Sequence, residues 1–325
     1  MRPQTRRARA ASVLAGLALV AAGAVALNQL HGASALPGPG AAGSLPAGVV
    51  PAPGQVGFRG DEVTLRVIDG AGSAPTGTRW MAPGFLQVDA DDLDLEGVLV
   101  RGGIDFYGSG TLTLTNSVVE GGSAWMVVNG RDPGARLVLR DSTLRWRAGA
   151  PAPVGWGNGA VHGAAAMTVI RCDISGTPDG IQNAAGGSVF EQNHIHDLAA
   201  LGTYPDNTHN DGIQLYGGDK LLLAHNRIDL GPFDPEHHNA AIFLQPGLAG
   251  AAAPRIVGNY LRGGGYALRL EAGTHDAVVT SNVFGAAEGA YGYVLAPSAG
   301  TVATWRDNTI LGAGELPAPD EPTRS

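Results

Sequence analysis

The sequence predicts an all-β fold, a single-stranded parallel β-solenoid of about nine coils with an asparagine ladder. Three observations predict it. First, a large apolar residue, a small polar residue three positions later and an apolar residue two further on recur along most of the chain. The polar position falls at Glu96, Asn116, Asp141, Cys172, Asn193, Asn226, Asn259, Asn282 and Asn308. Second, successive polar positions stand 20 to 33 residues apart, a period that marks stacked supersecondary units. Third, the intervening runs (LTLT, RLVLR, MTVIR, KLLLAH, DAVVT) are short and β-rich, and 50 Gly and 21 Pro supply the bends between them.

Each unit is too short for a helical hairpin of about 33 to 47 residues and holds no stretch of helical periodicity. One coil of short strands and tight turns fits, each coil bonded to the next about 4.8 Å away. Six of the nine polar positions are Asn. An amide repeated at the same bend can donate to one neighbour and accept from the other, so the column is structural rather than catalytic.

Over residues 58–312 the chain resembles the right-handed parallel β-helix superfamily typified by pectate lyases. The asparagine column and the segments HNDGIQLYGG and KLLLAHNRIDLG carry the resemblance. It implies a right-handed parallel β-helix and a carbohydrate-active protein. Because one fold hosts many chemistries, the activity must be argued from a site.

Arg2, Arg6, Arg7 and Arg9 precede an uncharged apolar run over 11–27, and Ala33-Ser34-Ala35 offers a cleavage site. Residues 1–35 therefore read as an export signal, or as an uncleaved membrane anchor, since the run approaches the length of a span. Either places the rest of the chain outside the cell, secreted or held on the outer face of the membrane. Residues 36–57 read as a Pro/Gly/Ala linker, 58–313 as the solenoid domain and 314–325 as a frayed tail. Cys172 is the single cysteine, so no intramolecular disulfide is available and the thiol reads as a buried filler. Removing 1–35 leaves 17 basic against 29 acidic residues, a net charge of −12. That excess excludes nucleic acid as a partner and any membrane contact beyond the anchor. The domain reads as a monomer.

One motif occurs twice: Pro178-Asp179-Gly180-Ile181-Gln182 and Asn210-Asp211-Gly212-Ile213-Gln214, 32 residues apart. That spacing is one coil, so the copies should stack. The next coils align as His238-Asn239-Ala240-Ala241-Ile242-Phe243 and Gly265-Tyr266-Ala267-Leu268-Arg269. With Ile181, Ile213, Ile242 and Leu268 inward, alternation turns Gln182, Gln214, Phe243 and Arg269 outward. Stacked carboxylates cannot both ionise freely, so one holds a proton beside an ionised partner, the pair that glycoside hydrolysis uses. The candidate catalytic residues are Asp211, Asp179, His209 and His238. Gln182, Gln214, Asn239, Tyr204, Tyr266 and Arg269 are candidates for binding a polysaccharide. A lyase would draw its base from His209, Tyr266 or Arg269. The plain alternative is that Asp-Gly is a turn launching a strand, with Gly180 and Gly212 chosen for positive φ. His194, His196-Asp197, His209 and His237-His238 gather around the second copy.

The NDG motif resembles the NTDG motif of β-helical polygalacturonases, which implies a catalytic carboxylate at Asp211 alone. The Asp-Asp, GHG and RIK motifs of those enzymes do not accompany it. No cofactor is assigned, with Ca²⁺ the candidate the sequence offers. Asp89, Asp91, Asp92 and Asp94 could hold Ca²⁺ or form a solvated edge. His209 with His237-His238 has metal-ligand chemistry but sits on loops, so no metal site is assigned. Trp125, Trp146, Trp156, Tyr204, Tyr216 and Tyr291 could stack on sugars or simply pack. Two functions remain: a polysaccharide hydrolase or lyase, and a non-catalytic rod displaying a glycan- or partner-binding face.

Overall fold

The computed structural model describes residues 45–122, 126–152, 159–247, 250–286, 290–298 and 300–319. The signal or anchor segment, Trp125 and Trp156 lie outside the described residues. Among the described residues no helix is long and apolar enough to cross a membrane.

The architecture is all-β, with long parallel sheets consistent with a β-helix. Three sheets of 11, 9 and 10 strands take the chain in rotation. A representative circuit runs Ala166–Ile170 in the 9-stranded sheet, Asp173–Ser175 in the 11-stranded sheet and Asp179–Asn183 in the 10-stranded sheet. Consecutive circuits pair in parallel. The reason lies in alternation. In Thr111–Thr115 and Arg136–Arg140 every second residue is buried. Leu112 and Leu114 align with Leu137 and Leu139, which align with Met167 and Val169. The core is thus a stack of like-placed apolar side chains, continued by Phe190, Leu223, Ile256 and Val279.

At the bend between the 9- and 11-stranded sheets one residue per circuit has positive φ, among them Asn116 (47°), Asp141 (48°), Gln192 (55°) and His225 (55°). The residue after it is buried: Ser117, Ser142, Cys172, Asn193, Asn226, Asn259, Asn282 and Asn308. The last five are bonded in series. Asn193 Nδ2 donates to Asn226 Oδ1 at 2.9 Å, Asn226 to Asn259 at 2.9 Å, Asn259 to Asn282 at 3.0 Å and Asn282 to Asn308 at 2.9 Å. The second proton of each of these amides goes to a carbonyl, that of Val169, Phe190, Leu223 or Ile256. The polar column assigned to Glu96, Asn116 and Asp141 is thereby corrected. Asn116 and Asp141 are the left-handed turn residues, a conformation Asn and Asp tolerate. Ser117 and Ser142 hold the buried position: Ser142 Oγ accepts from Ser117 N at 3.2 Å and donates to Arg140 O.

Two segment assignments also change. Residues 45–57, expected to be an unpacked linker, lie against the bends. Gln192 Nε2 donates to the carbonyls of Pro46 and Val49, Arg227 Nε to that of Pro51, and Gly57 N to Arg171 O. Proline removes donors but not acceptors, so long polar side chains from the solenoid can grip the segment. At the other end, Gly314–Glu315 turns back antiparallel on Thr309–Ile310, and Trp305 Nε1 donates to Leu316 O. Those first residues of the expected tail cap the last circuit. The acidic run caps the first ones: Asp89 pairs with Arg79, Asp91 accepts from Ser109 and Asp92 from Thr111 N.

Candidate functional site

The 10-stranded sheet aligns the outward column Gln182, Gln214, Phe243 and Arg269, above the buried column Ile181, Ile213, Ile242 and Leu268. Asp179 and Asp211 stand at the start of their strands, each only 1% exposed. Gly180 and Gly212 follow them for a reason other than the expected one, since neither has positive φ. A Cβ on Gly180 would strike Gly212 O and Ile195 Cγ2, and one on Gly212 would strike Ile228 Cγ2 and Ala241 O. The glycines let successive circuits close up beneath the carboxyls.

Asp179 Oδ1 accepts from Asp211 N at 2.6 Å and its Oδ2 from Gln182 Nε2 at 2.7 Å. Asp211 pairs with Ala240 while Asn210 pairs with His238, so Asn239 is the extra residue of a bulge. The bulge aims Asn239 Nδ2 at both oxygens of Asp211, at 3.0 and 3.1 Å. Arg269 Nη1 donates to Asn239 Oδ1 at 2.7 Å. Because Arg can only donate, this contact dictates which end of the amide faces Asp211. Glu271 holds Arg269 in turn, and the guanidinium lies over the Phe243 ring.

Burial pushes both carboxyls up. Asp179 rises despite the Asp211 amide that favours its anion. Asp211 rises through burial and the neighbouring Asp179 charge, against the donors Asn239 and Ala240 N–H and the Arg269 charge. The two titrate as one pair, and burial with mutual repulsion makes that pair resist full ionisation. Tyr216 is pushed up to about 12 by burial and by the two carboxylates.

An open groove lies over this arrangement. Of the residues expected there, Asp179, Asp211, His209, Gln182, Gln214, Asn239 and Arg269 line it. Three expected residues are not in the lining. His238 Nδ1 accepts from Asp234 N at 3.3 Å, turned aside by the bulge. Tyr204 stands 83% exposed on its loop. Tyr266 packs at 5.9 Å against Tyr291. Tyr216, named above only as a residue that could stack on sugars, and Gln245, which was missed, also line the groove; each lies two residues beyond an outward position, the spacing that returns to the same face. Tyr216 donates to Gln214 Oε1 at 2.9 Å, and Gln214 Nε2 to Gln245 Oε1. Gln182 and Tyr216 also border a second hollow with Asn129, Arg131 and His162, so the polar face extends past the carboxyls.

The histidines do not form one cluster. His237 spends both nitrogens on Asp234 and Gly202 O, so the set His209, His237 and His238 does not converge. His194 and His196 belong to the 11-stranded sheet, whereas the groove is on the 10-stranded one. There they meet Asp173: burial works against its ionisation, but hydrogen bonds from the two histidines outweigh it and hold the carboxyl down at about 2. Cys172 is fully buried and its thiol is pushed up to about 12, chiefly by burial. No protein-family model matches the chain, and it shows no significant similarity to any curated protein or solved structure.

Proposed function

We propose that this chain is an exported right-handed parallel β-helix of the pectate lyase-like kind, with about nine coils registered by its asparagine ladder. Its groove binds a polysaccharide and cleaves it by hydrolysis or elimination. One observation carries the reading: two buried carboxyls, Asp179 and Asp211, lie on adjacent strands under an open groove, with the Asp211 backbone N–H donating to Asp179 Oδ1 at 2.6 Å. A protonated carboxyl beside an ionised one supplies a general acid and a base or nucleophile in one place. Arg269 acts through Asn239, orienting Asp211 rather than taking a proton. Gln214 offers its amide to sugar hydroxyls and Phe243 an apolar face, while the buried Gln182 holds Asp179 and Gln214. His209 is the remaining proton carrier in the lining.

A second reading has its own support. Asp179 accepts from Gln182 and the Asp211 N–H, Asp211 accepts from Asn239 on the next circuit, and both are almost fully covered. On that reading the pair staples two circuits, and the groove only binds glycan. Incubation of the full chain with neutral and uronic-acid polysaccharides separates the cases. Reducing ends without an unsaturated product mean hydrolysis; reducing ends with one mean a lyase. Binding without any product, unchanged in Asp211→Asn, sinks the catalytic reading.

A further inference from the structure

We propose that Asp173, His194 and His196 bind a divalent transition-metal ion of the zinc type, on the face of the 11-stranded sheet and separate from the groove. Asp173 and His194 are register partners on adjacent parallel strands, and Ser175 pairs with His196. Strand alternation puts His194 and His196 on one face, so the three side chains meet without any loop to position them.

The distances suit an ion. His194 Nδ1 is 3.3 Å from Asp173 Oδ2, and His196 Nε2 is 3.3 Å from both Asp173 oxygens. Two ligands bound at about 2.0–2.1 Å in tetrahedral geometry stand ~3.3–3.4 Å apart. Two imidazoles and one carboxylate form a donor set that suits zinc, nickel or cobalt and leaves a coordination position open. His196 Nδ1 lies 2.7 Å from Asp197 Oδ2. A carboxylate there fixes the proton on Nδ1 and directs the Nε2 lone pair inward, the usual support of a metal-bound histidine. The two rings now stack at 4.0 Å and 18°, so capture of an ion tilts His196 out of the stack. Asp197 is 87% exposed and free to follow it. Pro53, Gly54, Asp229 and Arg262 line the cleft at the cluster. Asp229 is the register partner of His196, but its carboxylate is paired with Arg262 Nη1 at 3.1 Å, so the three ligands are Asp173, His194 and His196 alone.

Titration calorimetry of the full chain with Zn²⁺, after chelator treatment, tests this. One equivalent should bind with micromolar affinity. His196→Ala and Asp173→Asn should each weaken it by more than about tenfold, and Asp197→Asn by about tenfold. His237→Ala, which removes a His–Asp pair elsewhere, should leave it unchanged. Should the variants fail to fold, Co²⁺ added to the wild-type chain decides. Intense visible bands of a four-coordinate ion support the site, and the pale spectrum of the hydrated ion overturns it. Absence of Zn²⁺ binding at micromolar concentration, or binding that survives His196→Ala, also overturns it. None of these readouts requires polysaccharide cleavage, so failure of the groove reading leaves this test intact.

Discussion

Replacing Asn226 by Ala should be among the most damaging single changes in the solenoid. Its amide makes four bonds in a fully buried position. Nδ2 donates to Asn259 Oδ1 and Phe190 O, each at 2.9 Å, and Oδ1 accepts from Asn193 N at 3.0 Å and Asn193 Nδ2 at 2.9 Å. Truncation strips the side-chain partner from the Asn193 N–H and the Phe190 carbonyl. An orphaned buried polar group costs about 1–3 kcal/mol, so two of them come to about 2–6 kcal/mol, a large share of the ~5–15 kcal/mol typical of a folded domain. Ser142 shows what a smaller group does at this bend: its hydroxyl accepts from Ser117 N and donates to Arg140 O. Asn226→Ser should therefore keep the Asn193 N–H satisfied and lose less than half as much as Ala. Urea unfolding with matched m-values measures both. A loss under about 1 kcal/mol for Ala, or a Ser variant no better than Ala, refutes the argument that these amides hold the circuits together.

Asp211→Asn should lower polysaccharide cleavage by about 10²- to 10⁴-fold while substrate binding persists, read from initial rates and a separate binding isotherm. The Asp179 carboxyl is raised from an ordinary value of about 3.9 to about 7 in the folded chain. The folded state then holds a proton that the unfolded chain has released, and stability falls as pH rises through that window. Asp179→Asn removes the Asp179 share of this dependence, leaving that of the buried Asp211, and should gain stability over wild type progressively between those two values, as followed by unfolding at several pH values. The Gln182 amide, whose Oε1 is buried without a partner, can turn to accept from the new amide. Arg269→Ala removes a cation that favours the Asp211 anion, so the apparent pKa of the pair in the pH–rate profile should move up. Gly212→Ala should destabilise the chain by about 1–3 kcal/mol, because its Cβ meets the Ala241 carbonyl and Ile228; a neutral result there means that the circuits can part.

The alignment of neighbouring circuits was legible in the residues. The repeated DGIQ places Ile181 on Ile213 and Gln182 on Gln214, because a spacing of one full circuit leaves two identical strand faces only one good way to stack. The later columns, Phe243 and Arg269, followed from the same apolar anchors. Other features were hidden. Asn116 and Asp141 satisfy the pattern of the buried column yet occupy the turn, since Asn and Asp serve equally well as left-handed residues and as buried hydrogen-bonders. The bulge at Asn239 changes the register by one residue, which exchanged His238 for Asn239 at the carboxyl.

Local patterning thus carried what repeats: strand length, which side of each strand is apolar, and the distance along the chain from one level to the next. It is set by side-chain polarity and by Gly and Asn at bends, which act over a few residues. Only the wound chain decided which of three faces each polar group joins. His194 lies in the 11-stranded sheet and His209, 15 residues on in sequence, just before a strand of the 10-stranded one, whereas Asp173 and His194, on successive turns, touch. Contacts of that kind depend on loop length and on a single inserted residue, and these set side-chain direction without leaving a periodic mark.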